Sequence, residues 1–379
     1  MWRFRATIAL AATPLLADRA HSFAKSANRL FTSCLFTSFC MPPERATVAV
    51  SFLQHLLSGA RRQLSPRDID MLATQAGIAP QLLRQEGARV TREQFVRMYE
   101  CVSLFMGDEM LGLWSRPIRA GALKYLGLSL LDAPSLMVAM YRFTRFWNLL
   151  LDDHRLRMTR AHGVATITIA PPPEAATRPT TPFGHALMVK LIHGVASWLM
   201  GRQLPVLGVG FAFPRPARFD EYANLFPGPV QFEQDSSSVR FAEPILRQTF
   251  QRTRTELLDF VRRAPDDWIF VTFDHDTTSA AVREFVAAHL ASDATLGAAA
   301  RAMHMSERAL SRQLAAEGTS FRALKEEVRR DLAIQRLVKT REPIDRIAAS
   351  VGFDNTPAFH RAFRTWTGST PRGYRQRAG

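Results

Sequence analysis

Two stretches near the C-terminal end of this 379-residue chain, offset by 49 positions from Ser306 to Asn355, repeat one arrangement of residues. The first, Ser306 to Leu314 (SERALSRQL), opens on a residue able to cap free helix N–H groups and places Leu310 and Leu314 four apart on one side. Arg308, Ser311 and Arg312 fall at i, i+3 and i+4 on the opposite side. The second, Asn355 to Phe363 (NTPAFHRAF), puts Asn355 at the cap, Phe359 and Phe363 on the inner side, and Thr356, His360, Arg361 and Arg364 outside. Pro357 is compatible, because the first helical turn does not need its missing N–H. Each stretch is preceded by a short helical pattern (TLGAAARAMHM and IDRIAASVGF), so each reads as a helix-turn-helix.

What joins them is equally constraining. Phe321 to Lys339 reads as one helix with Leu324, Val328, Leu332, Ile334 and Leu337 as its apolar stripe. At about 1.5 Å per residue it spans about 28 Å. Successive major-groove faces of B-DNA lie about 34 Å apart, so a rod of this length can hold two helices against one side of a duplex. Arginine supplies the planar fork that grips guanine O6 and N7 or a phosphate. The charge agrees: the chain carries +15, and residues 276–379 hold 17 basic against 11 acidic side chains. Polyanions are the partners such a surface attracts. An all-helical interaction domain with fortuitous basic faces is the plainer alternative.

The run GFDNTPAFHRAFRTWTGSTPRGYR (352–375) closely resembles the signature of the AraC/XylS family of bacterial transcription regulators. The resemblance extends back through AARAMHMSERALSRQLAAEG and VRRDLAIQRL, over about 100 residues. It implies an all-α DNA-binding domain of two helix-turn-helix units joined by a long helix, residues 276–379. Carried over by position, Arg308, Ser311 and Arg312 would contact bases or phosphates from the first unit, and Thr356, His360, Arg361 and Arg364 from the second. Pro357 and His360 depart from the polar residues commoner in the family.

Residues 41–262 read as a separate α+β domain. Short helices are expected from Ala49 to Arg61 and from Pro66 to Gln75, and a third from Thr91, where Gln94 completes a capping box. Asp132-Ala-Pro134 is expected to open a longer, mostly buried helix carrying Tyr141, Phe143, Phe146 and Trp147, aromatics that suit a core or a small-molecule pocket. HRLRMTR and VATITIA alternate across Ala161-His162-Gly163 as a β-hairpin does. Prolines from 171 to 182 punctuate a loop before a helix over 181–200, and strands are expected at 206–213, 230–234 and 238–242. This domain more loosely resembles the arabinose-binding-like effector domain of the ornithine-utilisation-regulator branch. That resemblance implies effector binding and dimerisation, with effector-binding residues unassigned. Residues 263–275 are taken as a linker.

No Gly-rich phosphate loop, His-Glu-x-x-His or Gly-x-Ser-x-Gly occurs, so catalysis is not signalled and no catalytic residue is named. His154, His162, His185 and His193 are too dispersed to suggest a ligand set, the three cysteines show no metal spacing, and neither metal nor cofactor is expected. Residues 1–40 open on two arginines, Arg3 and Arg5, followed by an apolar stretch, Ala6 to Leu16, like a signal peptide but too short to span a bilayer. The preferred reading is an extension of doubtful order, upstream of a start at Met41. The expected partners are double-stranded promoter DNA, a small-molecule effector, a second copy in a homodimer and RNA polymerase, without a membrane, in the cytoplasm. Activation is the expected effect, although the residues do not separate it from repression. An enzyme whose basic helical tail binds an acidic partner is the competing class.

Overall fold

The computed structural model describes residues 47–378, apart from 86, 172–181, 220–222, 227, 272–277, 292–293 and 318. The expectations for residues 1–40 and for most of the proline loop lie outside the described residues.

The N-terminal domain begins with a two-stranded antiparallel ribbon, β1 (Thr47–Ala49) against β2 (Arg89–Thr91), with Val48 opposite Val90. A continuous helix from Ala49 to Arg61 is therefore corrected: α1 spans Val50–Leu56, and a 3-10 turn, Ala60–Arg62, follows. The cause is tertiary. Gly59 lies so close to the 111–112 backbone that a Cβ there would come within 2.4 Å of the Gly112 carbonyl carbon, and Arg62 Nη2 donates to Gly112 O at 2.7 Å. α2 (Pro66–Gln75) and α3 (Arg92–Met106) follow local chemistry, with reciprocal capping boxes at Ser65–Asp68 and Thr91–Gln94. α3 stops at Gly107, whose φ of 64° suits glycine.

α4 (Ala122–Leu130) was not expected; its Gly127 admits the Leu257 side chain, which a Cβ would meet at 2.2 Å. α5 (Leu136–Leu150) starts three residues later than Asp132 suggested. Ser135 caps it through Val138 N, while Asp132 binds the Arg142 guanidinium. Of the aromatics on α5, Phe143 and Trp147 are buried, Phe146 is half-buried and Tyr141 is exposed.

β3 (Arg155–Ala161) and β4 (Val164–Ala170) form the expected hairpin, and both turn residues, His162 and Gly163, take positive φ. The sheet runs β3-β4-β7-β5-β6, with β5 (Gly208–Gly210), β6 (Val230–Gln231) and β7 (Ser237–Ala242). β5 and β6 are shorter than the 206–213 and 230–234 runs and pair parallel to each other. Ala165, Ile167 and Ile169 alternate into the core from β4. α6 (Pro182–Met200) is long and apolar enough to cross a membrane, and 89% of its apolar window is buried inside the fold, as in the central helix of a core.

α7 (Glu243–Leu246), α8 (Arg254–Arg263) and α9 (Asp266–Ile269) complete the domain. The last departs from the linker reading of 263–275, because Trp268, Ile269 and Phe270 are buried. Gly194 makes this docking feasible: a Cβ there would stand 2.5 Å from Trp268 O. Arg92 adds an ion pair to Asp266 at 2.5 Å and lies over the Phe270 ring.

Folding also joins histidines far apart in sequence. His185 Nε2 meets His154 Nε2 at 2.9 Å, and His185 Nδ1 lies 2.7 Å from Ser237 Oγ, under the Trp114 ring. Burial, then His154, push the His185 imidazole down to about 4, with Asp153 opposing; burial, then Lys190, push His193 to about 3. Both rings are neutral in the fold, whereas the unfolded chain binds protons below about 6.5. Their stabilisation is thus full above pH 6.5 and is lost as pH falls toward 4. For His185 alone the loss at pH 5 is about 2 kcal/mol. Urea unfolding of His185→Gln at pH 7.5 and 5 should show that much less pH dependence than the unaltered chain. An equal pH dependence would discard this account.

The C-terminal domain is all helix: α10 (Thr278–His289), α11 (Leu296–Ala302), α12 (Glu307–Ala316), α13 (Phe321–Lys339), α14 (Ile344–Ser350), α15 (Thr356–Thr367) and α16 (Pro371–Ala378). It has two cores. Val282, Val286, Leu310, Leu314, Leu324 and Val328 pack the first unit as a separate cluster. Ile334, Leu337, Ile347, Phe359, Phe363 and Tyr374 pack the second in one cluster with the N-terminal domain.

Candidate DNA interface

The two recognition helices, α12 and α15, are capped as their sequences require. Ser306 Oγ accepts from Ala309 N at 3.2 Å, and Asn355 Oδ1 accepts from Ala358 N at 2.9 Å. Each cap satisfies an end amide that helix geometry leaves unpaired, which fixes where the helix starts and hence which side turns inward. Leu310, Leu314, Phe359 and Phe363 are all fully buried.

The opposite sides carry the residues singled out from sequence. Arg308, Ser311, Arg312, Arg361 and Arg364 are exposed, while Thr356 and His360 are half-buried, the latter beside the Phe359 ring. Among the described residues, none of the four arginines is engaged in an ion pair. Their donors are therefore available, and placing them in contact with an anion breaks no internal bond.

α13 does more than space the units. Lys325 Nζ donates to Ala294 O in the first unit at 2.6 Å; one turn later, Arg329 donates to Gly352 O in the second at 2.5 Å and lies over Phe353. Gly352, at φ 76°, sits against the Leu290 carbonyl, where a Cβ would come within 2.3 Å. Both units are thus tied to the same rod, the first through Ala294 just before α11 and the second through Gly352 in the turn between α14 and α15.

Sequence reasoning missed a polar seat on this rod. Thr47 Oγ1 donates to Asp331 Oδ1 at 2.5 Å, Arg330 Nε donates to the same oxygen at 3.2 Å, and Arg89 stands 3.9 Å away. Burial, then Arg330, bring the Arg89 guanidinium down to about 10 against the pull of Asp331, so it remains cationic at neutral pH. Tyr374 donates its hydroxyl to Arg89 O, Gln85 Nε2 donates to Thr367 O at 3.0 Å, and Lys339 pairs with Glu93 at 2.7 Å. The N-terminal ribbon therefore rests on α13 and α16, and Gln85, just before it, on the C-terminal end of α15, while Arg361 and Arg364 on the other side of α15 stay exposed. A signal existed: Asp331 falls between Val328 and Ile334 on the apolar stripe, where an unpaired carboxylate would be costly.

A family profile described as the arabinose-binding domain of AraC transcription regulators, N-terminal, matches residues 67–250. A helix-turn-helix domain profile matches residues 299–377, spanning both readers. The chain belongs to the AraC family of transcription regulators. Within it, this AraC-family regulator is 26% identical over 303 residues to the ornithine utilization regulator of Pseudomonas aeruginosa, covering 79% of this chain and 88% of that one. The transcriptional regulator VqsM of the same species is 37% identical over 76 residues, 20% of this chain and 23% of that one. The crystal structure of the regulator CdpR, also from Pseudomonas aeruginosa, covers 68% of this chain and 84% of its own at 21% identity and a TM-score of 0.27. The function of this AraC-family regulator is sequence-specific DNA binding in transcription control, and its curated relatives are regulators.

Proposed function

We propose that α12 and α15 enter successive major grooves of one promoter duplex. Arg308, Ser311 and Arg312 contact it from the first, and Thr356, His360, Arg361 and Arg364 from the second. The observation that carries this reading is the pairing, on a shared rod, of two capped helices whose arginines are exposed and, among the described residues, free of ion pairs. Phosphate contacts supply most of the affinity and base edges the discrimination. Residues 41–262, continued through the folded segment to 271, form the effector-binding and dimerisation domain, and 276–379 the DNA-binding domain. A small-molecule effector acts by binding one conformation of the N-terminal domain better than another; the seat on Asp331 is where that preference reaches the readers. The protein acts in the cytoplasm as a regulator rather than an enzyme, as a homodimer that activates transcription through RNA polymerase.

A gel-shift titration of the full chain against the DNA upstream of its own coding sequence tests the reading. The expected result is retardation that is selective over random-sequence DNA and weakens steeply with salt. Equal retardation of both DNAs at every salt concentration would refute it.

A further inference from the structure

An open groove of about 400 Å³ lies on the N-terminal domain among α1, the 3-10 turn Ala60–Arg62, α2 and a second 3-10 turn, Leu82–Arg84. This volume falls in the range of small-molecule sites. Leu64, Ile69 and Leu83 give it an apolar floor, and Gln54 Nε2 donates to Leu83 O at 2.6 Å, tying α1 to the second turn. Its charged lining is unbalanced. Arg84 pairs with Asp70 at 2.5 Å, whereas Arg61 has no ion pair among the described residues. Two guanidiniums thus face one carboxylate. Burial and then repulsion from Arg84 lower the Arg61 pKa, and the attraction of Asp70 offsets them only in part.

We propose that this groove is the effector site, and that it takes a small monocarboxylate whose carboxylate lies on Arg61 and Arg84 and whose short apolar tail lies on Leu64, Ile69 and Leu83. The assignment rests on the effector-responsive reading above and adds the place and the ligand class. A guanidinium fork matches a carboxylate bidentately, and a second anion would relieve the repulsion between the two arginines. The position also suits a signal: the residue after Arg84 is Gln85, whose amide holds Thr367 O at the end of α15, and Gly87 packs on Thr367 in turn. A ligand that shifts the Leu82–Arg84 turn therefore pulls directly on the seat of the second reader.

Isothermal titration of the full chain with hexanoate tests the site, with hexan-1-ol as the neutral counterpart. Hexanoate should bind saturably and hexan-1-ol should not. Arg61→Gln should weaken hexanoate at least tenfold, and Arg67→Gln, an exposed arginine outside the groove, should not. Asp70→Asn, which removes the competing carboxylate, should tighten binding at least threefold, a gain that misfolding cannot produce. No saturable binding of hexanoate, equal binding of hexan-1-ol, or unchanged affinity in Arg61→Gln or Asp70→Asn would each overturn the proposal. Retardation of the upstream DNA by the same preparation without hexanoate reports on the regulator reading separately, and persists if only the groove assignment fails.

Discussion

Replacing Arg312 and Arg361 together with alanine should weaken operator binding by about 2–6 kcal/mol, roughly 30-fold to 10⁴-fold, at fixed salt. Each side chain is expected to contribute about 1–3 kcal/mol if it grips a base edge. One stands on each recognition helix, with no shared partner, so their effects should add. Both are exposed and take no part in either core, so the thermal melt should stay within a degree or two of the unaltered chain. A pair that makes only phosphate contacts would lower affinity for all sequences alike and reduce the salt slope by about 2. Unchanged affinity in the double variant would remove both residues from the interface.

Phe359→Ala should cost about 3–5 kcal/mol, the range for emptying a fully buried aromatic site. Phe359 is completely buried, with Phe353 and Phe363 rings at 5.5 and 5.6 Å. Its neighbourhood is part of the cluster that continues into the N-terminal domain. Hydrogen exchange should therefore rise in α14 to α16 and along the β1–β2 ribbon, with α10 to α12 nearly unchanged. Leu310→Ala should do the reverse, at a cost of about 2–5 kcal/mol, because Leu310 belongs to the separate first-unit core. An identical exchange pattern in the two variants would show that the C-terminal domain opens as one unit, contrary to its two cores. The same contrast bears on signalling, since only the second unit is packed against the domain assigned to the effector.

The repeated pattern was legible because caps and helix periodicity are local: Ser306 and Asn355 satisfy end amides within three residues, and Leu310 and Phe359 follow from a 3.6-residue repeat. The same holds for the Thr91–Gln94 box and for the hairpin at His162-Gly163, whose turn takes the backbone angles that a two-residue connection demands. Where the sequence misled, a distant backbone intervened. The 59–112 approach broke the expected first helix, and docking of Trp268 on Gly194 turned the start of the expected linker into core.

The candidate site divides along the same line. The amino-acid sequence by itself determined the reader helices, their inner and outer faces, the rod between them and the family, all of which depend on residues within a few turns of one another. Only the tertiary structure decided that Asp331 meets Thr47 across 284 positions, that His154 meets His185, and that Arg61 and Arg84 share one groove. Those pairings depend on how separate elements pack. Periodicity says which side of an element is buried, while shape and charge complementarity between elements choose what it is buried against.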